Sequence, residues 1–264
     1  MALMECSFFS ESLGMCSSAY VILPQTTMGQ IGMSGVGSPD GCPVLYLLHG
    51  LSDDHSIWMR RTSIERYATA YGIAVVMPNG HRSYYSDMVS GLKYFTYISE
   101  ELPQIMGSFF KFSRKPEDTF VAGLSMGGFG AMKLALNCPD KFASAGCFSS
   151  AIRPAHLLSV IPERKAEFSC IFGDMESVNN SCNDMYYLAE KAKKENIKLP
   201  DLFIACGTED FLYQENQMFK AHLEKLEIPF EYREEPGTHE WGFWDRQIQY
   251  YLKYLTDQKL LKVR

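Results

Sequence analysis

Residues 119–136 read TFVAGLSMGGFGAMKLAL, and the stretch changes character halfway along. Thr119 to Ala122 are β-branched, aromatic and apolar, as in a buried strand. Beyond Gly128, Ala131, Leu134 and Ala135 recur at helical spacing. A strand that becomes a helix so abruptly passes through a bend in which backbone meets backbone. Gly123 and Gly127 remove the side chains that would collide there. Ser125, at the apex, then projects from the sheet at a helix N-terminus with its hydroxyl uncovered. This is the G-x-S-x-G pattern of a nucleophile elbow. A glycine-rich turn whose serine merely caps the helix would give the same letters. The rest of the chain has to supply a base, an acid and an oxyanion hole.

Around that stretch the chain alternates. The apolar run PVLYLLHG is followed by a helical pattern over residues 63–71, the run IAVVMP and a helical pattern over residues 94–110. TFVAG, its helix and SAGCFSS come next. The strand DLFIACG, a helix over residues 213–226, the strand FEYREE and a helix over residues 243–255 close the series. Continuous apolar strands separated by helices predict a mainly parallel sheet of about eight strands covered on both faces. Two N-terminal runs, residues 4–9 and 18–23, read as an antiparallel pair joined near Gly14. Residues 25–41 are rich in glycine and read as a surface loop. Pro103 should kink or split the helix that contains it. Between Ala151 and Lys198 the strand runs stop, which predicts a helical insertion over the sheet near the pocket. The expectation is one α/β domain over residues 1–264 with the insertion at 151–198.

Composition narrows the function classes. The 264 residues carry 46% hydrophobic and 21% charged residues and a net charge of −6, a globular profile. No Lys/Arg cluster is present to neutralise phosphates, which argues against a nucleic-acid partner. No apolar run approaches the roughly 18 residues of a membrane span, and the N-terminus lacks the basic region of a signal peptide. Eight cysteines without C-x-x-C spacing read as reduced thiols of a cytoplasmic protein rather than a disulfide framework or a zinc site. No cofactor or metal is implied.

In open α/β sheets, chemistry gathers at the carboxyl ends of the strands. Gly207-Thr208-Glu209-Asp210 follows DLFIAC, and Thr238-His239-Glu240-Trp241 follows FEYREEPG. The order Ser125, Asp210, His239 is that of an α/β-hydrolase. A serine hydroxyl needs an imidazole to take its proton, and the imidazole needs a carboxylate to fix its tautomer and balance its charge. His55 is the rival base; Glu209 and Asp174 are the rival acids. An oxyanion hole needs two N–H donors. Met126 follows the nucleophile, and the His49-Gly50 turn at the end of the first central strand presents the N–H of Leu51. Trp58, Tyr84, Tyr85 and Trp241 border the strand ends and, with His49 and Gly50, are candidate substrate contacts, aromatic faces being suited to acyl groups or sugars. Trp244 reads equally well as pocket wall or as core.

With these parts assembled, the sequence resembles the esterase D family of α/β-hydrolases, most of all the bacterial tributyrin esterases and small acetyl- and carboxylesterases. CSFFSESLGMCSSAYVILP, LYLLHGLSDDHSIWMRRTSIERYA, YYSDMVSGLKYFTYISEELPQIM, VAGLSMGGFGAMKLAL, CGTEDFLY and GTHEWGFWDRQIQYYL carry the resemblance over nearly the whole chain. It implies hydrolysis of short acyl esters, acetylated carbohydrates included, by Ser125, Asp210 and His239 with Leu51 and Met126 as donors. It implies a small-molecule ester as partner, and often a homo-oligomer. S-formylglutathione hydrolases of the same larger family carry Cys-Thr where this chain has Ser52-Asp53-Asp54, which argues against a glutathione thioester. Mycolyltransferases and feruloyl esterases share the fold and leave acyl transfer or an aromatic acyl group as alternatives. A silent hydrolase fold used for binding would usually have lost the serine or the histidine; both are present.

Overall fold

The computed structural model describes residues 1–29, 31, 37 and 41–262. The glycine-rich loop expected over residues 25–41 lies largely outside the described residues. Eight strands form one sheet in the order β1-β2-β4-β3-β5-β6-β7-β8. They are β1 (Ala2–Ser10), β2 (Met15–Leu23), β3 (Val44–Leu48), β4 (Ala74–Pro78), β5 (Thr119–Leu124), β6 (Ser144–Phe148), β7 (Asp201–Gly207) and β8 (Glu231–Glu235). The first two strands pair antiparallel with each other, and β2 with β4. All other pairings are parallel. This is an α/β-hydrolase fold.

Side chains alternate across a strand, and β3 shows why its run must be apolar throughout. Val44, Tyr46 and Leu48 enter the core on one face, while Leu45 and Leu47 enter the core on the other. Helices cover both faces, so neither set meets water, and each large side chain so buried contributes roughly 1.5–3 kcal/mol. The helices are α1 (Ile57–Arg61), α2 (Ile64–Tyr71), α3 (Tyr94–Thr96), α4 (Leu102–Phe109), α5 (Met126–Asn137), α6 (Pro154–Val160), α7 (Lys165–Phe172), α8 (Met185–Lys194), α9 (Tyr213–Lys225) and α10 (Trp241–Asp257). Among the described residues no helix is long and apolar enough to cross a membrane.

The expected helix over residues 94–110 is split. A π-helical turn, Tyr97–Glu101, separates α3 from α4. Pro103 has no N–H for the carbonyl of Ser99 four residues earlier. The Ser99 carbonyl accepts instead from Lys141 Nζ at 3.1 Å. Three helices, α6, α7 and α8, lie between β6 and β7, with short 3₁₀ turns at Pro162–Arg164 and Met175–Val178. All eight cysteines are free. Cys42, Cys138, Cys147 and Cys206 are buried as the apolar context suggested, but Cys16, Cys170 and Cys182 are exposed.

The start of α8 is fixed by Asp184, whose carboxylate accepts the N–H groups of Tyr186 and Tyr187, both at 3.1 Å. Asp184→Ala should therefore lower stability by about 1 kcal/mol. Urea unfolding should show this as a lower midpoint at unchanged slope.

Candidate functional site

The elbow depends on contacts that only glycine permits. A Cβ on Gly123 would fall on the carbonyl of Gly127, and one on Gly127 would stand 2.5 Å from the carbonyl oxygen of Leu48 and 2.7 Å from that of His49. The helix start is thereby pressed against the ends of both β3 and β5. Ser125 between them has φ 53° and ψ −114°, a strained conformation for a residue with a Cβ, costing on the order of 1–3 kcal/mol. Its surroundings hold it there. Its N–H donates to Phe148 O at 2.8 Å, and its carbonyl accepts from Phe129 N at 3.0 Å and Ala151 N at 3.2 Å. The hydroxyl does not cap α5, which disposes of the simple capping reading of the motif.

The hydroxyl instead meets His239. Ser125 Oγ and His239 Nε2 are 3.0 Å apart, and His239 Nδ1 lies 3.0 and 2.9 Å from the two oxygens of Asp210. A carboxylate can only accept, so Nδ1–H donates to Asp210 and the Nε2 lone pair is left for the serine proton. The Asp210 side chain is 0% exposed, that of His239 19%. Burial of the carboxylate strengthens its hold on the ring, while the ring edge stays within reach of a substrate. Hydroxyl, imidazole and carboxylate in series can move a proton off Oγ and stabilise the resulting ring charge.

Several local bonds bring Asp210 and His239 together from separate strand ends. Asp210 Oδ1 accepts the N–H of Leu212 at 2.8 Å, and Glu209 Oε2 accepts that of Gly237 at 2.6 Å. Glu240 caps α10 through the N–H groups of Gly242 and Phe243, at 2.9 and 3.1 Å, which fixes the residue before it. The imidazole is flanked by Phe211, centroids 4.6 Å apart, and by the edge of Trp244 at 4.8 Å. Trp244 is buried and donates to Ser149 Oγ at 3.1 Å. Phe211 was not foreseen; its place directly after Asp210 was the available signal. The rivals lie elsewhere. His55 faces Glu5 at 3.4 Å, Asp174 caps the turn at Met175–Val178, and Glu209 braces the loop without touching the imidazole.

The His49-Gly50-Leu51 turn lies beside the elbow; a Cβ on Gly50 would be 3.9 Å from that of Ser125. Neither Leu51 N–H nor Met126 N–H has an acceptor among the described residues. Four of the expected substrate contacts are buried side chains. His49 is buried, with Nδ1 2.7 Å from Gly50 O and Nε2 accepting from Gly80 N at 2.9 Å. Tyr85 is fully buried and donates to His49 O at 3.0 Å. Trp58 is buried and donates to Leu48 O at 3.0 Å. Tyr84 packs among Phe129, Phe168 and Phe172 at 5.2–5.8 Å. Positive φ values at Tyr84 and Tyr85, 51° and 48°, turn the local backbone in a way no periodicity reveals. His49, Tyr85 and Trp58 brace the turn and the strand end before it, while Tyr84 packs between α5 and α7. Trp241 stays partly exposed, edge-on to Trp58 at 5.1 Å. Among the described residues no group of three His, Cys, Asp or Glu is placed to hold a metal ion.

Comparison with known proteins gives matching results. Residues 37–255 match the Esterase family. An acetyl esterase of Caldicellulosiruptor saccharolyticus is 33% identical over 256 residues, spanning 94% of this chain and 96% of the relative. Two Staphylococcus aureus structures are each 36% identical and cover 96% of this chain and 98% of their own. They are FphF, a fluorophosphonate-binding serine hydrolase in a substrate-bound form (TM-score 0.87), and the S-formylglutathione hydrolase FrmB (TM-score 0.83).

His49 makes the acid stability of the turn measurable. Burial pulls its pKa from 6.5 down to about 4, so the ring is neutral in the fold. As pH falls through 6.5 the unfolded chain takes up a proton first, and stability is lost until the folded ring also charges near pH 4. At about 1.4 kcal/mol per pH unit the loss attributable to His49 is about 3 kcal/mol. Urea titrations from pH 7.5 to 4 should show this slope, and His49→Gln should remove that part of it while lowering the plateau.

Proposed function

Since the chain belongs to the Esterase family and is a carboxylic ester hydrolase, we propose that it hydrolyses short-chain acyl esters, acetyl to butyryl, through an acyl-enzyme on Ser125. The observation that carries this reading is the unbroken series Ser125 Oγ, His239 and Asp210 at the strained apex. Acetylated carbohydrates are the natural class of substrate under this reading.

In this mechanism His239 Nε2 takes the hydroxyl proton as Oγ attacks the ester carbonyl. Charge develops on the carbonyl oxygen, where the N–H groups of Leu51 and Met126 receive it; such donors act strongly because they are already oriented. The tetrahedral intermediate collapses, the alcohol leaves with the proton from Nε2, and Ser125 is left acylated. Water then attacks the acyl carbon, His239 takes its proton, and a second collapse returns that proton to Oγ and releases the acid. Asp210 keeps Nδ1–H in place and balances the ring charge throughout.

Two comparisons support the details. The acetyl esterase relative favours a small acyl group, and the fluorophosphonate-binding relative favours a serine nucleophile. Phe211 and Trp241, with Leu51, supply bulky apolar surface close to His239 and the elbow. FrmB favours a second reading, S-formylglutathione hydrolysis, against which stand Ser52-Asp53-Asp54.

Ser125→Ala should abolish fluorophosphonate labelling of a protein that still melts cooperatively; retained labelling would put the nucleophile elsewhere. Asp210→Asn should reduce kcat by something on the order of 10⁴, while Asp174→Asn should leave it close to wild type. With p-nitrophenyl esters, each added methylene should contribute roughly 0.8 kcal/mol until the pocket is full, after which overpacking reverses the gain. The expected kcat/KM is highest between acetyl and butyryl and low by octanoyl. A maximum at decanoyl would refute the short-chain reading, and a higher kcat/KM for S-formylglutathione than for any acyl ester would favour the second.

A further inference from the structure

A sizeable cavity lies away from Ser125, at the other end of the sheet. It has a volume of about 590 Å³ and its lining includes Val44 and Thr119, the first residues of β3 and β5, whereas Ser125 follows the last residue of β5. A six-residue strand at roughly 3.3 Å per residue puts some 20 Å between the two. The volume falls within the roughly 300–1,000 Å³ of small-molecule sites.

Three features make this more than a surface crevice. The first is Tyr46, which lines the cavity: the residue as a whole is 4% exposed, but its hydroxyl oxygen is open to the cavity and makes no hydrogen bond among the described residues. A hydroxyl that faces a cavity in this way is free to donate to whatever occupies it. Burial also pushes its pKa well up, so it remains a donor. The second is the wall. Phe112 and Phe142 join Tyr46 in lining it, and both are buried. The third is Gly107, in the middle of α4, where glycine is a poor helix former. No atom stands within 4 Å of where its Cβ would be, and the position lines the cavity. Any larger side chain would project into that space. The π-helical turn before α4 contributes Ser99 and Glu100 to the same lining, and such turns are frequent at functional sites.

The charges of the lining cancel, Glu100 and Asp140 against Lys141 and Arg114, and Glu100 is already paired with Lys141. We propose that this cavity is a second binding site, for an uncharged one-ring aromatic molecule with a hydrogen-bond acceptor that receives the Tyr46 hydroxyl. The rings supply flat apolar contact, the hydroxyl fixes orientation, and the balanced mouth gives an anion no advantage. This inference does not depend on the acyl preference or on the mechanism at Ser125.

Ligand-observed NMR titration of the whole protein tests it, with acetophenone as probe because it has the ring and acceptor but no ester to hydrolyse. Acetophenone should bind wild type, and Tyr46→Phe should weaken it about threefold to tenfold, the effect of one hydrogen bond. Toluene, which has no acceptor, should bind wild type and Tyr46→Phe alike. Gly107→Leu should abolish binding of both at an unchanged or raised Tm, since it fills the cavity and improves the helix. Failure of acetophenone to bind, or equal affinity for wild type and both variants, would overturn the site. Tighter binding of benzoate than of acetophenone would overturn the proposed ligand class.

Discussion

Everything at the candidate active site depends on the passage of the backbone through Ser125. The bend is so narrow that a Cβ on Gly127 would collide with the carbonyls of Leu48 and His49, and one on Gly123 with the backbone of Gly127. That closeness aligns three chain segments at once: the end of β3 with its His49-Gly50-Leu51 turn, the end of β5, and the N-terminus of α5. The positive φ of Ser125 is unfavourable in isolation, and hydrogen bonds to Phe148, Phe129 and Ala151 outweigh it. Strain of this kind persists only where the surroundings over-determine it. Here the surroundings are the two central strands themselves, which are buried on both faces and have no freedom to relax. The parallel arrangement then brings Asp210 and His239, from the ends of β7 and the loop after β8, to the same edge.

Behind the turn runs a polar network that a core of apolar side chains alone could not supply. Lys133, on the helix that begins directly after Ser125, is fully buried. Its Nζ donates to Tyr85 O at 3.2 Å, Ser86 Oγ at 2.9 Å and Asn183 Oδ1 at 2.6 Å, and the ring of Phe95 lies 4.6 Å away. Burial lowers its pKa to about 8, which is the mark of a cation held by neutral oxygens and a ring face rather than by an adjacent carboxylate. From Tyr85 the connection continues through its hydroxyl to His49 O, and from His49 to Gly50 and Gly80. This buried cation thus links α5, the segment after β4 and the helical stretch between β6 and β7. The His49-Gly50-Leu51 turn is braced from below by groups that never meet solvent.

How much of this is legible in the sequence follows from what each signal encodes. Strands buried on both faces are nearly continuous apolar runs, so β3 to β7 can be read with boundaries close to those observed, and the order of serine, acid and histidine follows once the strand ends are known. Ser125, Asp210 and His239 stand together because strand ends are where the sheet gathers its loops. The aromatic residues are harder. Trp58, Tyr84 and Tyr85 lie in segments bordering the site, but a sequence records proximity along the chain and not the direction in which a ring turns. At Tyr84 and Tyr85 the direction is set by left-handed backbone conformations that neither residue type announces. His49 is hard to read for a related reason: a histidine at a strand end looks the same in sequence whether it faces a pocket or closes a turn, and the bonds to Gly50 and Gly80 appear only in the fold. Phe211 directly follows Asp210, but nothing in a phenylalanine after a strand end announces that its ring packs on an imidazole.

The strand β3 joins the two ends of the molecule. Its side chains place Tyr46 in the cavity at one end, and its last residue leads into His49 and Gly50 at the other. Between them Leu47 and Leu48 are fully buried and stand in register with Ala122 and Gly123 of β5. A ligand shifts an equilibrium only through different affinities for its two states. A strand packed on both faces and paired on both sides offers one arrangement, since close-packed interiors do not deform continuously. Occupation of the cavity therefore acts on the fold as a whole: a molecule that binds only the folded chain stabilises it by mass action, by about 2.7 kcal/mol at a hundredfold excess over Kd. The geometry at Ser125 is held by its own glycine contacts and by the bonds around the elbow, none of which involves a residue that lines the cavity. The same rigidity that holds a strained serine in place keeps the two ends of the sheet chemically independent.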